Sequence, residues 1–151
     1  MKYLLYICIL LAAVLVPDKG MDVGKLIPVE VVMISEDRGS ITLHTDTGDS
    51  GIGNTLDAAI SDLKAGASGV IYLDTAEYLL LENGMENQLN AIGRHLKGVV
   101  RLCHASEGIS LEAVADFLSV HRPEVTLNTV SDYSSIPIIW EENGRYRLTE
   151  K

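Results

Sequence analysis

The sequence is short of positive charge, of cysteine and of recognisable catalytic spacing. Against 21 Asp and Glu it sets 12 Lys and Arg, a formal net charge of −9. No Lys/Arg cluster overrides that average, and an acidic domain repels phosphate backbones, so a nucleic-acid partner is excluded. Only Cys8 and Cys103 are present. Cys8 sits inside an apolar run and Cys103 stands alone in the remainder, so no internal disulfide forms in the 21–151 region. The four histidines, His44, His95, His104 and His121, have no metal-ligand spacing. There is no Gly-Lys-Ser/Thr phosphate loop, no internal repeat and no low-complexity segment. These gaps leave no cofactor, no metal and no catalytic residue to assign.

What is present begins with a hydrophobic N-terminus. Lys2 precedes an unbroken apolar run from Tyr3 to Val16, and Pro17-Asp18-Lys19-Gly20 ends it. This is the layout of a secretory signal. As a helix the run spans about 20 Å, short of a bilayer core of roughly 30 Å, so a cleaved signal fits better than a classical span. Ala12-Ala13 is followed by Val14, Leu15 and Val16 rather than by a small-x-small site, which keeps an uncleaved anchor open. Either way residues 1–20 are a signal or membrane anchor with its linker. Residues 21–151 are then a single extracytoplasmic α/β domain, meeting the membrane through the N-terminal segment.

Along that domain, "LIPVEVVMI" (26–34) and "SITLHT" (40–45) read as a hairpin around Ser35–Gly39. Leu56, Ala59, Ile60 and Leu63 fall on one helical face, with Asn54 or Thr55 placed to cap and Gly66 to end the helix. "GVIYLDT" (69–75) reads as an interior strand. Thr75 can start a helical stretch through Tyr78, Leu79 and Leu80, and a second segment runs from Glu86 to Leu96. "GVVRLCHA" (98–105) is the next strand, and Ser110 caps a helix over 111–121. Asn143-Gly144 marks a closing hairpin. The pattern predicts an α/β fold with a mixed sheet, β-β-α-β-α-β-α followed by a C-terminal β-hairpin. Right-handed crossovers are expected between its parallel strands.

The stretch "HTDTGDSGIGNT" (44–55) invites chemistry. Asp46-Thr47-Gly48 is the aspartic-protease tripeptide, but here Asp49 follows and would press a second charge against the dyad. Gly48-Asp49-Ser50-Gly51 surrounds the nucleophile of trypsin-like proteases, whose fold is all-β, with its His well upstream. As a calcium loop, counted from Asp46, the third position is Gly48 and the twelfth is Asp57, a poor match. The plain reading is a Gly-rich connection whose Asp, Ser and Asn side chains bond local backbone. A small hydrolase using Asp46, Asp49 or Ser50 is the alternative; it requires a cleft holding those groups with His44 and a perturbed carboxylate. Three further features have two readings each. Cys103-His104 is a nucleophile or metal pair, or a buried inert thiol beside a histidine. Asp74 and Glu77 follow a strand where α/β sheets place ligands, or they start a helix. Trp140 anchors a partner or closes the core.

Gly53-Asn54-Thr55-Leu56-Asp57-Ala58-Ala59, "GVIYLDTAEYLLL" and "LKGVVRLCHASEGISLEAVADFL" together resemble the N-terminal domain of the C subunit of spore germinant receptors, the Ger(x)C family. The likeness is distant and runs over residues 26 to 120. It implies a non-enzymatic, membrane-associated accessory role in a spore-forming bacterium. A subunit with a protein partner in an envelope complex is a further reading, which would show an exposed apolar patch or sheet edge. The family's subunits are lipoproteins and much longer. No lipidation cysteine ends the apolar run here, and the family's further domains have no counterpart in residues 21–151, so the resemblance is to a single-domain relative.

Overall fold

Four consecutive large apolar residues, Tyr78-Leu79-Leu80-Leu81, are all buried, and the sheet is built around them. The computed structural model describes residues 25–106 and 108–149. The signal or anchor expected over residues 1–20 lies outside the described residues. Among those described, no helix is long and apolar enough to cross a membrane.

The strands are β1 (Leu26–Pro28), β2 (Val31–Asp37), β3 (Ser40–Thr45), β4 (Ser50–Gly53), β5 (Val70–Tyr72), β6 (Tyr78–Leu81), β7 (Arg101–Ala105), β8 (Ile138–Glu142) and β9 (Arg145–Leu148). The helices are α1 (Leu56–Gly66), α2 (Leu89–Ile92) and α3 (Leu111–Val120). Seven strands form one mixed sheet in the order β4-β3-β2-β6-β7-β8-β9. Its centre, β2-β6-β7-β8, is parallel, and β3, β4 and β9 run antiparallel to their neighbours. The mixed α/β sheet ending in a hairpin is the architecture that the sequence predicts.

Alternation along the strands divides the core between two faces. Val32, Ile34, Leu79, Leu81 and Leu102 pack against Leu56, Ala59, Ile60 and Leu63 of α1 and Leu89 and Ile92 of α2. Val31, Tyr78, Leu80, Cys103 and Ile139 pack against Val114, Ala115 and Leu118 of α3. The Tyr78 hydroxyl, buried with its ring, donates to Leu118 O at 3.0 Å, so the one polar side-chain atom of that strand is satisfied.

Two predicted elements exchange roles. The segment expected to start a helix at Thr75 is the central strand β6. The expected interior strand at 69–75 shrinks to β5, which pairs only with β1 in a separate two-stranded sheet. A short apolar run has no helical or strand period, so cover from both sides decides its state. Tyr78–Leu81 has that cover, whereas Val70 and Tyr72 on β5 stay 45% and 43% exposed. Thr75 caps no α-helix. Its hydroxyl accepts from Val29 N–H at 2.9 Å and lies 2.9 Å from Val29 O and 2.7 Å from Tyr72 O, which fastens the start of β6 to the break between β1 and β2.

The Glu86–Leu96 segment is a 3-10 turn at Met85–Gln88 followed by the single turn of α2, with Leu89, Ile92 and Leu96 buried as their spacing predicts. Thr55 is the N-cap of α1, accepting from Ala58 N–H at 3.2 Å. Ser110 precedes α3 but makes no side-chain capping bond. Asn143 and Gly144 take φ of 52° and 73°, as a two-residue hairpin turn requires.

Candidate functional site

The Gly-rich stretch is not a plain loop between strand and helix. After a tight turn it becomes β4, a third strand on β3, with His44 opposite Ser50 and Leu43 opposite Gly51. Gly51 and Gly53 face α1 so closely that a Cβ at Gly51 would run into Ala59 O and Leu63 N. A Cβ at Gly53 would meet Ala59 N. Ile52 between them points outward, and its N–H donates to Asp62 of α1 at 2.9 Å, which closes off this edge of the sheet. The glycines therefore serve helix–strand approach; Gly-x-Gly flanking an apolar residue was the available signal for it.

The turn itself is held by its own polar groups. Thr45 N–H donates to Asp49 O at 3.0 Å and Gly48 N–H to Thr45 O at 3.1 Å, with Gly48 at φ +85°. Thr47 Oγ1 donates to Asp49 Oδ2 at 2.9 Å and lies 2.8 Å from Thr45 Oγ1. Asp46 reaches further. Its carboxylate accepts from Glu30 N–H (3.1 and 3.3 Å) and Val31 N–H (3.2 Å), and its own N–H donates to Val31 O at 3.2 Å. Glu30 is where the chain breaks between β1 and β2, and a carboxylate is the acceptor that two adjacent free N–H groups need.

A cleft of about 370 Å³ opens beside this turn, between Met33, His44, Asp46 and Asp49 on one side and Ser110 and Glu112 at the start of α3 on the other. It brings together His44, Asp46 and Asp49, three of the residues the hydrolase alternative needs. Ser50 is exposed and does not line it. Among the described residues no hydrogen bond joins His44 to Asp46, Asp49 or Ser50. Among the described residues no Lys or Arg lines the cleft, and its carboxylates Asp46, Asp49 and Glu112 disfavour an anionic ligand.

One carboxylate shifted upward, Glu30, lies outside the cleft lining. Burial raises its pKa first, followed by the nearby charges of Glu77, Asp46 and Asp116. Its ionised form therefore costs the folded state stability. The cost is fully present above the raised pKa and vanishes below the unfolded value of about 4.3. Glu30→Gln is expected to raise the melting temperature at pH 7, with the gain shrinking as pH falls into the carboxylate range; paired melts at pH 7 and pH 4 check this.

The remaining candidates separate. Cys103 is buried in β7, where desolvation pushes its thiol up to about 12, which disfavours the thiolate that a nucleophile or metal ligand needs. His104 points to the opposite face, with Nε2 3.5 Å from Glu86 Oε1 and Nδ1 buried without a partner among the described residues. Asp74 lies in a 3-10 turn, and Glu77 sits at the amino end of β6, not at a carboxyl end where α/β ligands bind. His95 Nε2 donates to Asp57 Oδ1 at 2.9 Å on the surface. That contact, chiefly, holds the Asp57 carboxyl below its usual range. Trp140 is half-buried on β8 opposite Arg147. Among the described residues no group of three His, Cys, Asp or Glu is placed to hold a metal ion. No protein-family model, no curated protein and no solved structure matches the chain.

Proposed function

We propose that this chain is a non-catalytic accessory or binding domain, exported or tethered to the membrane by its N-terminal segment. An envelope or spore-germination assembly is the setting that its family resemblance suggests. One observation carries the non-catalytic part: Asp46, the carboxylate on which the aspartic-protease and the cation readings depend, is engaged by the Glu30 and Val31 amides. A carboxylate holding two backbone donors is a brace, and freeing it for proton transfer would break the β1–β2 junction. The burial of Cys103 and its raised pKa, which disfavour a reactive thiolate, support the same reading.

The alternative, a small hydrolase, draws on the shared cleft of His44, Asp46 and Asp49. It lacks a base–nucleophile hydrogen bond, since Ser50 lies outside that cleft. Fractionation of the native host followed by N-terminal sequencing tests the proposed address. The expected product lies outside the cytoplasm. Its N-terminus lies past the apolar run if a signal is cleaved, and at Met1 if the run is an anchor. A wholly cytoplasmic product starting at Met1 would overturn it.

A further inference from the structure

The two ends of the seven-stranded sheet are finished differently. At β4 the outward N–H of Ile52 is taken by Asp62. At β9 no described strand lies outside the edge. Thr149 N–H donates to Ile138 O at 3.0 Å, which sets the phase of the β8–β9 ladder. Hydrogen-bonded pairs alternate along antiparallel strands, so Arg147 and Arg145 face β8 with their main-chain groups. Tyr146 and Leu148 turn theirs outward. Beside this edge runs a groove of about 750 Å³, with Tyr146 to Thr149 on one side and Phe117, Val120, His121 and Arg122 from the end of α3 on the other. Phe117 stacks on His121 with ring centroids 4.5 Å apart and meets Tyr146 at 5.9 Å. Val120 is 75% exposed.

The chemistry of this edge selects among occupants. Side chains on β9 alternate: Arg145 and Arg147 are exposed on one face, Tyr146 and Leu148 half-buried on the face toward α3. Arg147 lies 3.6 Å from Glu142 in a pair that is more than half exposed, and among the described residues Arg122 bonds only the backbone of Ser119 through Nε, at 3.3 Å. In a protein of net charge −9, the edge and its groove carry Arg145, Arg147 and Arg122 against Glu124 in the lining and Glu142 beside Arg147. A second copy of the chain is a poor occupant. Antiparallel pairing of two β9 edges centred on the free groups of Tyr146 and Leu148 sets Arg147 against Arg147, and like charges directly opposite repel.

We propose that β9 is a docking edge for an extended partner peptide of alternating acidic and apolar residues. The peptide adds as an eighth strand to the sheet, its acidic side chains beside Arg145 and Arg147 and its apolar ones in the groove against Phe117, Tyr146 and Leu148. Main-chain hydrogen bonds to Tyr146 and Leu148 supply affinity, and the alternation supplies specificity. This names the partner chemistry for the binding domain proposed above and rests on that reading.

The test uses the full chain in detergent and a capped, dye-labelled peptide of alternating Glu and Val. Comparison probes are the same residues in block order, the alternating peptide N-methylated at every second amide, and vesicles of phosphatidylglycerol. The expected result is that the alternating probe binds, and that block order, N-methylation or the Arg145→Glu/Arg147→Glu double variant each weakens it at least about tenfold. If the double variant does not fold, the N-methylated probe on the unaltered chain decides. Equal binding of the block or N-methylated probe, binding to vesicles alone, or no binding overturns the proposal. Mass spectrometry of the recovered probe separates the two readings: a cleaved peptide sinks the non-catalytic function, while an intact peptide that fails to bind sinks only the docking edge.

Discussion

Gly51→Ala is expected to cost the domain about 3 kcal/mol or more, and Gly51→Val enough to populate the unfolded state at room temperature. The added methyl group meets the carbonyl of Ala59 and the backbone of Leu63, not a side chain that could rotate away. The whole of α1 would have to lift from β4. Leu56, Ala59, Ile60 and Leu63, all buried, would lose part of their cover with it. Gly66 is the control. Nothing lies within 4 Å of a Cβ there, and its φ is ordinary. Gly66→Ala in the last turn of α1 should be neutral or stabilising by up to about 1 kcal/mol. Urea denaturation with an unchanged m-value reads both effects, and a Gly51→Ala midpoint within error of the parent would refute the close-approach explanation.

Asp46→Ala is expected to cost about 2–4 kcal/mol, because it strips two adjacent backbone donors of their acceptor at a strand break. Asp46→Asn keeps one oxygen and should lose roughly half as much, since a neutral acceptor bonds more weakly than a charged one. Ser50→Ala, on an exposed side chain, should fall within about ±0.5 kcal/mol. A hydrolase would show a different order. Catalytic groups are often neutral or costly for stability, so Asp46→Ala would then leave stability unchanged or improve it. Thermal melts of the three variants distinguish these patterns.

Elements with local chemistry were legible in the sequence. The buried positions of α1 follow directly from its helical spacing, Thr55 caps it, and Asn143-Gly144 closes the last hairpin. The exchange between β5 and β6 was not legible, because Val70–Tyr72 and Tyr78–Leu81 are both short apolar runs and only the surrounding helices choose which becomes central. β4 was hidden for another reason: glycine has low strand propensity, and its value here lies in what packs on it.

The candidate site divides in the same way. That Asp46, Asp49 and Thr47 would satisfy turn backbone was readable from residue type. That Asp46 would cross to Glu30 was not, because the break between β1 and β2 exists only once Thr75 and β6 are in place. The β9 groove joins the end of α3 to a strand more than twenty positions later, so no sequence window contains it.

The claim that Asp46 is a brace and not a reactive group is tested most directly by amide hydrogen exchange at Glu30 and Val31. Both amides should be protected in the unaltered protein and should lose that protection in Asp46→Ala, with β6 remaining slow. Exchange of both at the rate of a free peptide in the unaltered protein would contradict it and return that carboxylate to the list of groups free to do chemistry.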